Sequence, residues 1–227
     1  MFRRIKSFIR KYKQSDYLKR IHFRSLLSMI VNFIVSFFKI LIGFFSLSIF
    51  FVVSGFYSFG MGIARQFYFR GFIKSKGAIN EELIYYLGMA LSLAFSSIIY
   101  IGYAFRLLYN ETLPTYHLII RISIAAVSFL ELGLSIYGLR KMFKVNNILF
   151  SGLKFVNFSS ALAAIALTHS VLIIEDASYD VIIYSTMAIC FAVGIISLMM
   201  SVYMLVNYSR LNKKEILAID HNFDIEK

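Results

Sequence analysis

Residues 48–62 read SIFFVVSGFYSFGMG. The stretch is apolar enough for a lipid bilayer, yet small residues interrupt it at regular steps. Ser54, Ser58 and Gly62 fall four apart, so on a helix they share one face. In lipid, association of helices gains nothing from hydrophobic burial, and small residues let two backbones approach closely enough to pack. The stretch therefore reads as a membrane helix with a comb of small side chains, and what fills the comb becomes the question.

The surrounding composition agrees with a membrane. The chain has 227 residues, 59% of them hydrophobic, with a mean hydropathy of +0.73; soluble domains run near 45–50% apolar. One proline and no tryptophan leave little room for a loop-rich β fold. A transmembrane barrel would show alternating segments of ~10 residues, whereas here the apolar runs are unbroken and about twenty residues long, the length of a spanning helix. The one cysteine, Cys190, lies inside such a run. It excludes a structural disulfide within the chain and reads as a small buried hydrophobe. The formal net charge is +12, but the basic residues flank the apolar runs and form no single face of a soluble domain, which argues against a nucleic-acid partner. The basic N-terminal stretch and the run after it are both too long for a cleavable signal peptide.

Six apolar runs can be marked: Ser25–Phe45, Leu47–Arg65, Leu83–Leu108, His117–Leu139, Leu153–Ile174 and Val181–Tyr208. The first two are joined only around Ser46, which implies a tight helical hairpin. The N-terminal arm holds nine Lys/Arg against one acid, Asp16. Basic residues return at Arg65, Arg70, Lys74 and Lys76, at Arg140, Lys141 and Lys144, and at Arg210, Lys213 and Lys214. The alternate loops hold Glu111 in one and Glu175, Asp176 and Asp180 in the other. Such alternation puts the basic loops and both termini in the cytoplasm. The expected fold is an all-α integral membrane protein of six transmembrane helices in the cell membrane. A basic arm, residues 1–24, precedes the membrane domain, 25–208, and a short tail, 209–227, follows; no C-terminal soluble domain is expected. Phe2, Ile5, Phe8, Ile9 and Tyr12 give the arm an apolar side, so it reads either as an interfacial helix on anionic lipid or as a plain topology signal.

Several spans carry polar stripes. The first has Ser25, Ser28, Asn32, Ser36, Lys39 and Gly43; the third Gly88, Ser92 and Ser96; the fifth Ser160, Ala164 and Thr168, with Asn157 and Ser159 beside them; the sixth Gly194, Ser197 and Ser201. They serve either helix contact or a polar path between helices. Glu131 is the one acid well inside a span and needs protonation, a partner or water. At ~1.5 Å per residue, Lys39 and Glu131 differ by about 10 Å in depth, so Lys39 is read as snorkelling outward. Tyr57, Ser58 and Ser160 fall at the level of Glu131, and His169 near that of Lys39.

The order of these features resembles the transmembrane domain of the cation diffusion facilitator family. Asn32 and Lys39 in the first helix, Gly43 and Ser48 at the turn, and the run SALAAIAL at 160–167 carry the resemblance, which extends over roughly residues 24–208. It implies a six-helix, cation-efflux-like bundle that exchanges divalent metal for protons. In the alignment it implies, the four metal-ligand positions fall on Tyr57, Met61, Val156 and Ser160, and the family's carboxylates and imidazoles are missing from all four. Zinc takes nitrogen, sulfur or carboxylate ligands, typically four, so no metal site and no cofactor are expected. Two functions stay open. One is movement of a cation or small solute through a remodelled site near Glu131, with Tyr57, Ser160, Asn157, Asn32 and Lys39 along the path. The other is a non-transporting relative that acts as a membrane scaffold or regulatory partner. An enzyme is not expected, because His22, His117, His169 and His221 form no metal-binding spacing. Anionic lipids at the arm and a second copy of the chain are the partners considered.

Overall fold

The computed structural model describes residues 26–27, 29–41, 43–45, 49–75, 79–109, 147–172 and 178–225, with a few isolated positions between 122 and 136. Among the described residues five helices are delimited: α1 (Met29–Phe45), α2 (Ile49–Lys74), α3 (Ile79–Arg106), α4 (Ile148–Leu172) and α5 (Tyr179–Ile225). A 3₁₀ turn, Leu107–Tyr109, closes α3. No strand occurs among the described residues. Among the described residues, three helices are long and apolar enough to cross a membrane: Ile79–Arg106, Ile148–Ser170 within α4 and Asp180–Lys213 within α5. The chain is a helical membrane protein. Helix α2 is also long, at 26 residues, but the glycines and serines of the opening stretch dilute its apolar character.

Local chemistry explains where these helices begin and end. Asn147 caps α4, its side-chain oxygen accepting the Phe150 N–H at 3.2 Å, which satisfies one of the orphan donors of a helix start. Its amide nitrogen donates to both oxygens of Glu82, at 3.3 and 3.2 Å, tying the start of α4 to that of α3. Glu81 and Glu82 lie in the first turn of α3, Asp180 in that of α5 and Lys74 in the last turn of α2, each with the sign the helix dipole favours. No proline interrupts residues 49–74, so α2 continues through Arg65 and Arg70 to Lys74. The expectation that these three lie in a loop is corrected: they ride on the helix. Likewise α5 runs on to Ile225, 47 residues in all, or about 70 Å, far more than a bilayer core requires.

Helix α3 packs along α2, α4 and α5. Gly60 of α2 faces Ser96 of α3, Gly88 of α3 faces the Phe67 ring, and Gly71 faces Tyr85. On the other side of α3, Gly194 of α5 meets Ile101, and Ser201 donates to the Ala90 carbonyl at 2.8 Å. The small-residue stripes of α3 and α5 are thus helix contacts. Large apolar side chains point outward, among them Phe95 at 66% and Met199 at 67% exposure. Lipid suits such a surface, and water does not.

Helix α1 runs antiparallel to α2. Ser36 donates to the Gly55 carbonyl at 2.7 Å, and Phe33 meets Phe59 edge-on with ring centroids 5.4 Å apart. The comb on α2 faces this helix: Gly62 lies against the Phe33 ring, and the Lys39 ammonium donates to Ser54 and Ser58 at 3.2 and 3.1 Å. Lys39 therefore reaches inward to α2, which corrects the expectation that it snorkels outward; two hydroxyls at one helical spacing offer it better solvation than lipid does. The turn at 46–48 lies outside the described residues, as do the arm at 1–24, Glu111, most of the fourth expected span including Glu131, and Glu175 and Asp176.

Candidate functional site

The positions that the family resemblance marks as ligands converge on the interface between α2 and α4. Tyr57, Met61 and Val156 are buried in the core, at 2%, 0% and 0% exposure, and Ser160 is half-buried on α4. The Tyr57 hydroxyl lies 2.6 Å from Ser159 Oγ and 3.2 Å from Ser197 Oγ, and it is 3.1 Å from the Ser159 carbonyl, an acceptor. Ser159 and Ser197 bond to each other. Three hydroxyls from α2, α4 and α5 thus satisfy one another in a buried knot, with the Tyr100 ring tilted against Tyr57 at 4.9 Å between centroids. In the absence of bulk water, such mutual satisfaction is what keeps polar groups in a core. Ser197 was legible only as a member of a stripe and Ser159 only as a neighbour of one; their meeting with Tyr57 depends on the rotation of two helices.

Nearer the end of the bundle where α2 finishes and α4 starts, the chemistry becomes cationic. Arg65 is 2% exposed, and its Nε donates to Asn157 Oδ1 at 3.2 Å. Lys154, one turn before Asn157 on α4, is 8% exposed. Tyr68 of α2 is fully buried and meets Phe150 edge-on at 5.6 Å. Tyr57 against Ser159 and Tyr68 against Phe150 fix the antiparallel register of α2 and α4. That register brings Lys154 level with the turn of α2 that ends at Arg65. Among the described residues, the buried charged side chains are these two, both cations. In the sequence, Arg65 closes the second expected span and Lys154 lies just inside the start of the fifth, so each sits near the end of an apolar run.

Of the other candidates, Asn32 is half-buried on α1, one turn from Ser36, and Lys39 sits at the comb. The structure therefore brings Tyr57 and Asn157 onto one helix interface, leaves Asn32 and Lys39 on another, and does not describe Glu131. Among the described residues no three His, Cys, Asp or Glu side chains gather as a metal site would require. No family model matches the chain, and no curated protein matches it significantly.

Proposed function

We propose that this chain is a six-span, cation-efflux-like protein of the cell membrane, with both termini in the cytoplasm, that does not carry divalent metal. It works as a membrane scaffold or regulatory partner and performs no catalysis. The observation that carries this is the Tyr57 hydroxyl bound to Ser159 and Ser197. Where the resemblance would put a cation's ligands, a phenol ring and two serine hydroxyls fill the space and use up one another's hydrogen bonds. The buried Arg65 and Lys154 support the same conclusion. A cation coming from that end would meet two like charges in a medium of low dielectric, and positive side chains in narrow passages exclude cations. The basic arm would hold anionic lipid, and a second copy of the chain is one partner such a scaffold could take.

A second function is favoured by the polar groups between α1 and α2. The Lys39 ammonium donates to Ser54 and Ser58, and of these Ser58 is the residue that sequence counting puts at the level of Glu131. A small solute or cation moving there would use Glu131 and would bypass the Tyr57 knot.

Uptake into proteoliposomes separates the two. With an imposed proton gradient and indicators for zinc, manganese and cobalt, the folded protein should give no uptake above empty vesicles. Uptake that collapses in Glu131→Gln would establish the second function and overturn the first. Uptake untouched by that substitution would overturn both.

A further inference from the structure

Where α2 ends and α3 begins, the two helices border a cavity of about 520 Å³ lined by Ile73, Lys74, Glu81, Ile84 and Tyr85. Gly71 has no side chain and lets Tyr85 lie directly against α2, so Tyr85 belongs both to the helix contact and to the cavity wall. Lys74 sits in the last turn of α2 and Glu81 in the first turn of α3. Both are exposed, and among the described residues neither forms an ion pair or a side-chain hydrogen bond. One cavity thus presents a cation and an anion that do not use each other. Glu82, by contrast, is taken by Asn147. The rest of the wall is apolar, with Ile73 55% and Ile84 65% exposed, a surface that lipid suits better than water. Helix α3 is long and apolar enough to cross a membrane, so its first turn, with Glu81 and Glu82, marks the edge of the bilayer. At ~1.5 Å per residue, Tyr85 lies about 6 Å deeper than Glu81, at the level where tyrosine collects in membrane proteins. From Glu81 to Tyr85 the cavity therefore passes from charged to apolar groups, as a phospholipid does from headgroup to acyl chain.

The two charges select among headgroups. The Lys74 ammonium, a compact point charge, suits a phosphate oxygen. An ionised carboxylate only accepts hydrogen bonds, so Glu81 suits a second group that is cationic and carries N–H. Ethanolamine is such a group. Choline carries no N–H and is held by cages of aromatic rings, and among the described residues the wall offers Tyr85 alone. A serine headgroup would bring a carboxylate toward Glu81, and a glycerol headgroup would give it no charge to pair with. We propose that this cavity is a binding site for phosphatidylethanolamine, with Lys74 on the phosphate, Glu81 on the ammonium, and Ile73, Ile84 and Tyr85 along the glycerol and the upper acyl chains. Its volume is that of an ordinary ligand site, roughly 300–1,000 Å³. The site does not depend on the scaffold function, and metal flux does not report on it.

The test compares phosphatidylethanolamine with phosphatidylcholine on the full-length protein. The two lipids carry the same net charge, so the basic N-terminal arm does not tell them apart. Native mass spectrometry from nanodiscs that hold both, with identical acyl chains, counts the lipid retained. The wild type should retain phosphatidylethanolamine about fivefold more than phosphatidylcholine, the worth of one partly solvated ion pair. Glu81→Gln should remove the preference, and Glu81→Asp, which keeps the carboxylate, should keep most of it. Lys74→Gln should lower retention of phosphatidylethanolamine by a similar factor. Both side chains are exposed, so the variants should fold, which circular dichroism and gel filtration check. Wild-type protein that shows no preference for phosphatidylethanolamine overturns the proposal. So does a preference that survives in folded Glu81→Gln. Soluble phosphoethanolamine that displaces the lipid at equal concentration would overturn it too, because the apolar wall would then contribute nothing.

Discussion

Tyr57 occupies the place where three helices exchange hydrogen bonds. Replacing it with Phe removes one hydroxyl while Ser159 and Ser197 keep each other, so Tyr57→Phe should cost about 1 kcal/mol, the net worth of one buried hydrogen bond. A lower midpoint of thermal unfolding in detergent would report it; a loss of folding would mean the knot does far more than satisfy itself. Lys39 makes a sharper contrast. Ser54→Ala with Ser58→Ala leaves an ammonium without the two hydroxyls that receive it, at a cost of about 2 kcal/mol. Lys39→Met removes the charge along with the need to solvate it, and should stay within about 1 kcal/mol of wild type. The same unfolding assay would reverse that order if Lys39 were held mainly elsewhere. The comb of Ser54, Ser58 and Gly62 was legible in the sequence as a contact surface, because a four-residue step on a helix has one geometric meaning. Its occupant was not. Which direction a lysine points depends on whether the neighbouring helix offers it oxygen, and composition carries no such information.

The interface between two helices is decided by a few close approaches. An added Cβ at Gly55 would meet Ile40 Cγ1 at 2.6 Å and the Ile40 backbone nitrogen at 3.1 Å, and the backbone cannot yield as a flexible side-chain tip can. Gly55→Ala should therefore destabilise by about 1–3 kcal/mol, the usual cost of overpacking. Gly102 has nothing within 4 Å of such a Cβ. Gly102→Ala should be neutral or should stabilise by up to about 1 kcal/mol through helix propensity. Equal effects at the two positions would contradict the α1–α2 packing. Helices α3 and α4 were legible from long apolar runs to within about five residues, and so was the start of α5, but not its continuation from Tyr208 to Ile225. The extension of α2 through Arg70 to Lys74 was not, because a charge at the edge of an apolar run reads equally as a loop or as a further helical turn. Nor could the sequence relate Arg65 to Lys154: 89 positions separate them, and only the antiparallel register of α2 and α4 brings them to a similar level.

Across the whole molecule, small-residue contacts pack the described helices against one another, and large apolar side chains face outward. If six spans alternate as the loop charges indicate, Lys74, Lys144 and Ser209 share the cytoplasmic side, while Tyr109 and Ser178 face the opposite side. Cys190 is completely buried, so the wild-type chain gives a nearly silent background for thiol labelling. Single cysteines at these five positions, treated in intact cells with a membrane-impermeant maleimide, test that arrangement directly. The six-span bundle predicts that Tyr109→Cys and Ser178→Cys react at once and that Lys74→Cys, Lys144→Cys and Ser209→Cys react only after lysis. Reaction of Lys144→Cys in intact cells, or protection of Tyr109→Cys there, would contradict it.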